Sequence, residues 1–162
     1  MQKITPCLWF DNQAEEAAQF YTSIFKNSKI VQISRYSESA AKMSGQPAGS
    51  ALTVTFQLEG QDFMALNGGP VFKFTPAISL MVSCETQEEV DRIWDKLSYD
   101  KASEQCGWLK DKYGVSWQIV PTALGKMMQD KDAKKVERLT KALLQMKKLD
   151  IEALRQAFER EG

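Results

Sequence analysis

The chain alternates between two hydrophobic periods. In ALTVTFQLEG (51–60), Leu52, Val54, Phe56 and Leu58 stand between polar partners, the period of a strand with one buried face. KITPCLWF (3–10) has the same period, with Thr5, Cys7 and Trp9 on one side and Ile4, Leu8 and Phe10 on the other. Pro6 has no N–H to donate, which places this strand near an end or edge. Between these two runs Ala14, Ala17, Ala18, Phe20, Tyr21, Ile24 and Phe25 form a helical stripe. Asn12 and Glu15 have capping-box spacing at its start. KIVQISRY (29–36) reads as a second strand, 37–50 as a polar Gly/Pro-punctuated stretch, and DFMALN (62–67) as a short strand after the Gly60-Gln61 turn.

The order then restarts. PAISLMVS (76–83) is a strand, Thr86 and Glu89 make another capping box, and Val90, Ile93, Trp94 and Leu97 form a stripe. Shifting the first helix by 73 residues lays Ala17 on Val90, Phe20 on Ile93, Tyr21 on Trp94 and Ile24 on Leu97. Gly60-Gln-Asp-Phe63 is echoed by Gly114-Val-Ser-Trp117, each before an apolar strand. A recurring strand–helix–strands unit is the mark of a duplicated module. After Pro121 the chain is almost all helix-forming, with starts signalled near Asp132 and Asp150. Its stripes, Val136-Leu139-Leu143-Met146 and Ile151-Leu154-Phe158, must bury against this domain's own sheet or a second subunit.

Composition narrows the functions. The 21 Lys+Arg balance 21 Asp+Glu with no long basic block, so nucleic acid is not an expected partner. No apolar run approaches the roughly 20 residues that span a bilayer, so no membrane is expected either. MQKITPCLWF has no apolar stretch ending in a cleavage site, so a cytoplasmic location is expected. Cys7, Cys84 and Cys106 are odd in number and widely spaced, which suits free thiols. The chain has no histidine, which removes both the commonest metal ligand and the commonest general base.

Three stretches carry a family likeness: ITPCLWFDNQAEEAAQFY, ALNGGPVFKFTPAISLMV and CGWLKDKYGVSWQIVPTAL. Together they resemble the PhnB-like branch of the glyoxalase/bleomycin-resistance (vicinal oxygen chelate) superfamily, often labelled 3-demethylubiquinone-9 3-methyltransferase-like. The likeness runs over residues 3–124, and LLQMKKLDIEAL in the tail also looks like this subgroup. It implies an α+β fold of two βαβββ modules whose curved sheets enclose a cavity, usually in a dimer. The modules fall at 1–70 and 71–122, and 123–162 is a helical extension of the same domain.

In the superfamily's catalytic members, four side chains on the first and fourth strands of each module hold a divalent metal. Carried onto this chain, those positions are Thr5, Met64, Gln118 and either Ser79 or, with the strand slipped by one, Ile78. Ser79 is preferred, because it turns Ser79, Met81 and Ser83 inward and Ile78, Leu80 and Val82 under the helix. Thr, Met, Ser and Gln offer no imidazole, thiolate or carboxylate, so no metal and no cofactor is expected. The methyltransferase label implies an adenosyl donor, yet Gly68-Gly69-Pro70 precedes an extended stretch rather than a helix.

The expected ligand site is therefore Thr5, Trp9, Met64, Asn67, Ser79, Met81, Trp108 and Gln118, its aromatic and thioether walls carrying a few neutral polar groups. Trp9 and Trp108 suit a cavity wall and a core equally, whereas Trp117 belongs under a helix. Cys106 has no histidine to activate it and reads as an inert thiol on a strand. Glu15-Glu16, Glu88-Glu89 and Asp111 read as helix-start and turn carboxylates, and Lys147-Lys148 as a helix C-terminus. The leading function is a metal-free, homodimeric binder of a small organic molecule. The alternative is an enzyme of the same superfamily working without the usual metal, and a partner-binding role is the third.

Overall fold

The computed structural model describes residues 2–160. They form two compact units, one running to Phe74 and the other from Thr75.

The first unit is a βαβββ module with one added helix. Strand β1 (Cys7–Phe10) leads to α1 (Ala14–Ile24), β2 (Lys29–Arg35), α2 (Glu38–Ser44), β3 (Ala51–Leu58) and β4 (Gln61–Asn67). The sheet order is β1-β4-β3-β2, with β1 parallel to β4 and the other pairs antiparallel. Helix α1 buries Ala14, Ala17, Ala18, Tyr21 and Ile24. The alternate residues Leu8, Phe10, Val54, Phe56, Phe63 and Ala65 are buried with them. The face carrying Cys7, Trp9, Thr55 and Met64 has no residue buried to that degree.

Three expectations change here. The first strand starts at Cys7, so Thr5 lies outside it, exposed, and Cys7 rather than Thr5 stands opposite Met64. The polar stretch 37–50 holds α2, capped by Ser37, whose side chain accepts from the Ala40 amide. Asn12 does not cap α1. The N-cap position is Gln13, which makes no side-chain capping bond. The cap comes from the far end of β4, where Asn67 Oδ1 accepts from the Ala14 amide at 2.8 Å.

The second unit repeats the plan with one strand fewer. Strand β5 (Ser79–Cys84), α3 (Gln87–Leu97), β6 (Trp108–Lys110) and β7 (Ser116–Pro121) make a sheet of order β5-β7-β6. This matches β1-β4-β3 of the first unit, without a counterpart of β2. Between α3 and β6 the chain has room only for a 3-10 turn at Lys101–Ser103 and a single bridge from Gln105 to Trp108. The two principal helices have eleven residues each and start 73 positions apart, as the repeat predicts. Thr86 caps α3 locally through the Glu89 amide, and Glu89 accepts in return from the Glu85 amide.

The helical tail, α4 (Thr122–Met128), α5 (Ala133–Leu143) and α6 (Ile151–Glu159), belongs to this second unit. Asp132 and Asp150 cap α5 and α6 as their positions predict. Leu124, Leu139, Leu149 and Leu154 form a cluster of their own, with Val120, Met127, Leu143, Met146 and Phe158 packed around it. Gln87 ties this cluster to α3: its side chain donates to the Leu149 carbonyl and accepts from the Ile151 amide. The Cys106 and Gly107 amides donate to the Met146 and Lys147 carbonyls. Lys147 and Lys148 follow the end of α5 rather than forming it, and Lys148 pairs with Asp91 of α3 at 3.0 Å.

Candidate functional site

In the second unit the register places four of the expected residues on one sheet face. Met81 stands opposite Gln118, and Gln118 opposite Trp108, so these three side chains form a row across β5, β7 and β6. Ser79, Ser116 and Lys110 form the adjacent row. Gln118 Nε2 donates to Ser79 Oγ at 2.9 Å, crossing from one row to the next. The other face holds buried Leu109, Trp117 and Ile119 against α3. Ser79 therefore sits where expected, but Ile78 lies outside the strand and is 77% exposed rather than packed under the helix.

The bonding of this face leaves specific groups over. The Ser79 hydroxyl accepts from Gln118, which frees its proton for donation, and Gln118 Oε1 has no partner among the described residues. One donor and one acceptor thus lie beside the Trp108 indole and the Met81 thioether. These four groups are neutral, so they can orient a polar group but supply no acid or base that works near neutral pH; the charge on this face is Lys110, in the adjacent row.

In the first unit Met64 lies between Cys7 and Thr55, and Trp9 beside Leu66, on the less buried face. Trp9 is pinned from one side. Its Nε1 donates to the Gly69 carbonyl at 2.9 Å, and Phe72 meets its ring edge-on. A Cβ on Gly68 would stand 2.1 Å from Trp9 Cζ2, so only glycine fits beneath the indole. The glycine turn is thus filled by Trp9 and offers no cradle for an adenosyl donor, and no methyl-transfer step is derived through it.

Asn67 is a correction to the expected ligand set. It is buried, and both ends of its amide are engaged: Oδ1 by the Ala14 amide and Nδ2 by the Ala51 carbonyl at 3.0 Å. Tyr36 donates its hydroxyl to the Asn67 backbone carbonyl. The signal for this was the position of Asn67 at a strand end, which the sequence pattern did not connect to a helix 53 residues away.

Asp111 is buried at the β6–β7 turn, where Oδ1 accepts from the Tyr113 and Val115 amides and Oδ2 from the Trp117 indole. This matches its reading as a turn carboxylate and also explains why Trp117 can be buried. Cys106 sits in a turn with φ of 51° rather than on a strand.

The metal implied by the superfamily does not fit these residues. Thr5, Met64, Ser79 and Gln118 are neutral donors, Cys7 in the place opposite Met64 adds a single thiol whose ionisation burial disfavours, and no group of three or more His, Cys, Asp or Glu able to hold an ion occurs among the described residues. No step is derived through a metal.

Residues 2–120 match the family model described as 3-demethylubiquinone-9 3-methyltransferase. A PhnB protein from Bacillus cereus is 44% identical over 75% of this chain and 100% of its own, with a TM-score of 0.63. The protein PA1353 from Pseudomonas aeruginosa, at 16% identity over 75% of this chain and 98% of its own, has a TM-score of 0.57 and shares the fold. The comparison with curated proteins gives no match. The family match stops short of the tail, which begins with α4 at Thr122. The chain belongs to the 3-demethylubiquinone-9 3-methyltransferase family, as the match over residues 2–120 and the 44% identity to the PhnB protein show.

Proposed function

We propose that this chain is a metal-free binding protein for a small organic molecule, acting in the cytoplasm as a homodimer. The observation that carries the binding reading is the Ser79–Gln118 pair, which holds one free donor and one free acceptor beside Trp108 and Met81. A wall of indole and thioether takes up apolar surface, and two neutral hydrogen-bonding groups orient a polar substituent. The same neutrality supports the metal-free reading, since a divalent ion would exchange its water for alcohol, amide and thioether at a loss. Free cysteines suit a reducing compartment. Ile78 and Met81 are 77% and 62% exposed, apolar surface that a second copy would cover.

The test is native mass spectrometry of gently purified protein together with elemental analysis after dialysis. A bound organic compound without a stoichiometric divalent ion is expected, at twice the 18.3 kDa chain mass. Gln118→Ala should weaken retention of that compound about tenfold, the worth of one well-placed hydrogen bond, with an unchanged melting temperature. A stoichiometric metal that survives dialysis, or binding indifferent to Gln118→Ala, would refute the reading.

A further inference from the structure

The second unit holds a cleft of about 280 Å³ at the β6 side of its sheet, lined by Pro76, Asp100, Ser103, Trp108, Lys110 and Ser116 among others. Its lining carries both signs of charge. Lys110 and Asp100 each make no ion pair among the described residues, although both border this one space. Asp100 uses Oδ1 to accept from the Ala102 amide at 3.1 Å, which leaves its second oxygen uncommitted. Ser116 is 3% exposed, and its hydroxyl has no hydrogen-bond partner among the described residues. The Trp108 indole N–H is likewise unpartnered among them, so the aromatic wall also ends in a donor.

We propose that this cleft binds a small aromatic zwitterion, a molecule of the chemical class of a free aromatic α-amino acid. A ligand bearing a single charge would satisfy one side chain and leave the other facing it unpaired, at a cost in desolvation. A zwitterion satisfies both. Its carboxylate takes the Lys110 ammonium and the Ser116 hydroxyl, its ammonium takes the free oxygen of Asp100, and its ring lies against Trp108. The volume is at the low end for ligand pockets, which fits a molecule of about a dozen heavy atoms. This inference rests on the reading that the Trp108 face of the second sheet receives a small molecule, and it names the class.

Isothermal titration of the full chain with L-phenylalanine, 3-phenylpropionate and 2-phenylethylamine tests it, since the three share a ring and differ only in charge. L-Phenylalanine should bind at least tenfold tighter than either singly charged analogue. Lys110→Met and Asp100→Asn should each remove about tenfold, and the second keeps the oxygen that holds the Ala102 amide. Far-UV circular dichroism and melting temperature of both variants should match the parent. Equal binding of the three compounds, or binding of none, overturns the proposal. A co-purified compound sensitive to Gln118→Ala but indifferent to both cleft variants also overturns it, while leaving the binding function above in place. Phenylalanine binding that falls with Lys110→Met and ignores Gln118→Ala upholds the cleft and refutes the site built on the Ser79–Gln118 pair.

Discussion

Asn67 occupies the end of β4 and stabilises three segments at once, through Ala14 of α1, Ala51 of β3 and Tyr36 beyond β2. Asn67→Ala leaves a buried amide and a buried carbonyl without partners, which costs about 1–3 kcal/mol for each group. Asn67→Asp keeps the acceptor for Ala14 but loses the donor to Ala51, so urea denaturation should rank the chains wild type, Asp, Ala. An alanine variant as stable as the parent would mean that the amide network contributes nothing. Cys84 gives a second prediction at this scale. Burial, and then the Glu89 carboxylate, push its thiol up to about 11 from 9.0, against a smaller opposing pull from Arg92. The folded chain therefore holds this proton more tightly than the unfolded one. That stability is full below pH 9 and is lost as pH rises toward 11, by at most about 3 kcal/mol. Cys84→Ala should flatten the alkaline limb of the stability profile, and a limb with unchanged slope would exclude Cys84 as its source.

Among the elements, the tail is the one the family match does not cover, and its leucines cluster within the second unit. Leu139, Leu149 and Leu154 are at most 1% exposed. Leu154→Ala should cost about 2–5 kcal/mol in equilibrium unfolding, the range for a large-to-small change in a closed core. Removing residues 131–162 should expose Leu124 and Val120 and produce aggregation, whereas a truncated chain that stays soluble with unaltered oligomeric state would show the tail to be dispensable. The principal helices and most strands were legible because their stripes are local: a 3.6-residue period reports a helix whatever it packs on. What escaped was non-local or compressed. Helix α2 is seven residues with Met43 as the one large apolar side chain, too short to print a stripe. The absent counterpart of β2 was hidden because the repeat signal lies in a helix and a turn, both of which the second unit keeps.

At the level of the whole molecule, 21 positive and 21 negative residues with a pI near 6.4 leave little net charge to steer a charged macromolecule, which fits a small-ligand role. No helix among the described residues is long and apolar enough to cross a membrane. The candidate site was legible only in part. Ser79, Met81, Trp108 and Gln118 meet on one face because strand alternation and register are readable from a short run of residues. Thr5 and Asn67 do not join such a face, since neither strand ends nor remote caps are encoded in a two-residue period. The Asp100–Lys110 cleft was invisible, because it depends on where a 3-10 turn sits against a strand edge.

The two helix caps have a kinetic consequence. Thr86 reaches an amide three residues away, whereas the Ala14 amide waits for a side chain 53 residues further along. Closing the longer loop costs about 2.5 kcal/mol more in chain entropy, by the logarithmic dependence on length. Helix α3 can thus nucleate with its own start already satisfied, while α1 must wait for the β3–β4 hairpin to arrive. During refolding, pulse-labelled hydrogen exchange should show the amides of 90–97 protected before those of 17–24. Simultaneous protection, or the reverse order, would mean that something other than cap distance times the two halves. The two copies thus share a strand–helix–strands plan, and the reach of their caps predicts that the second leads in folding and the first follows.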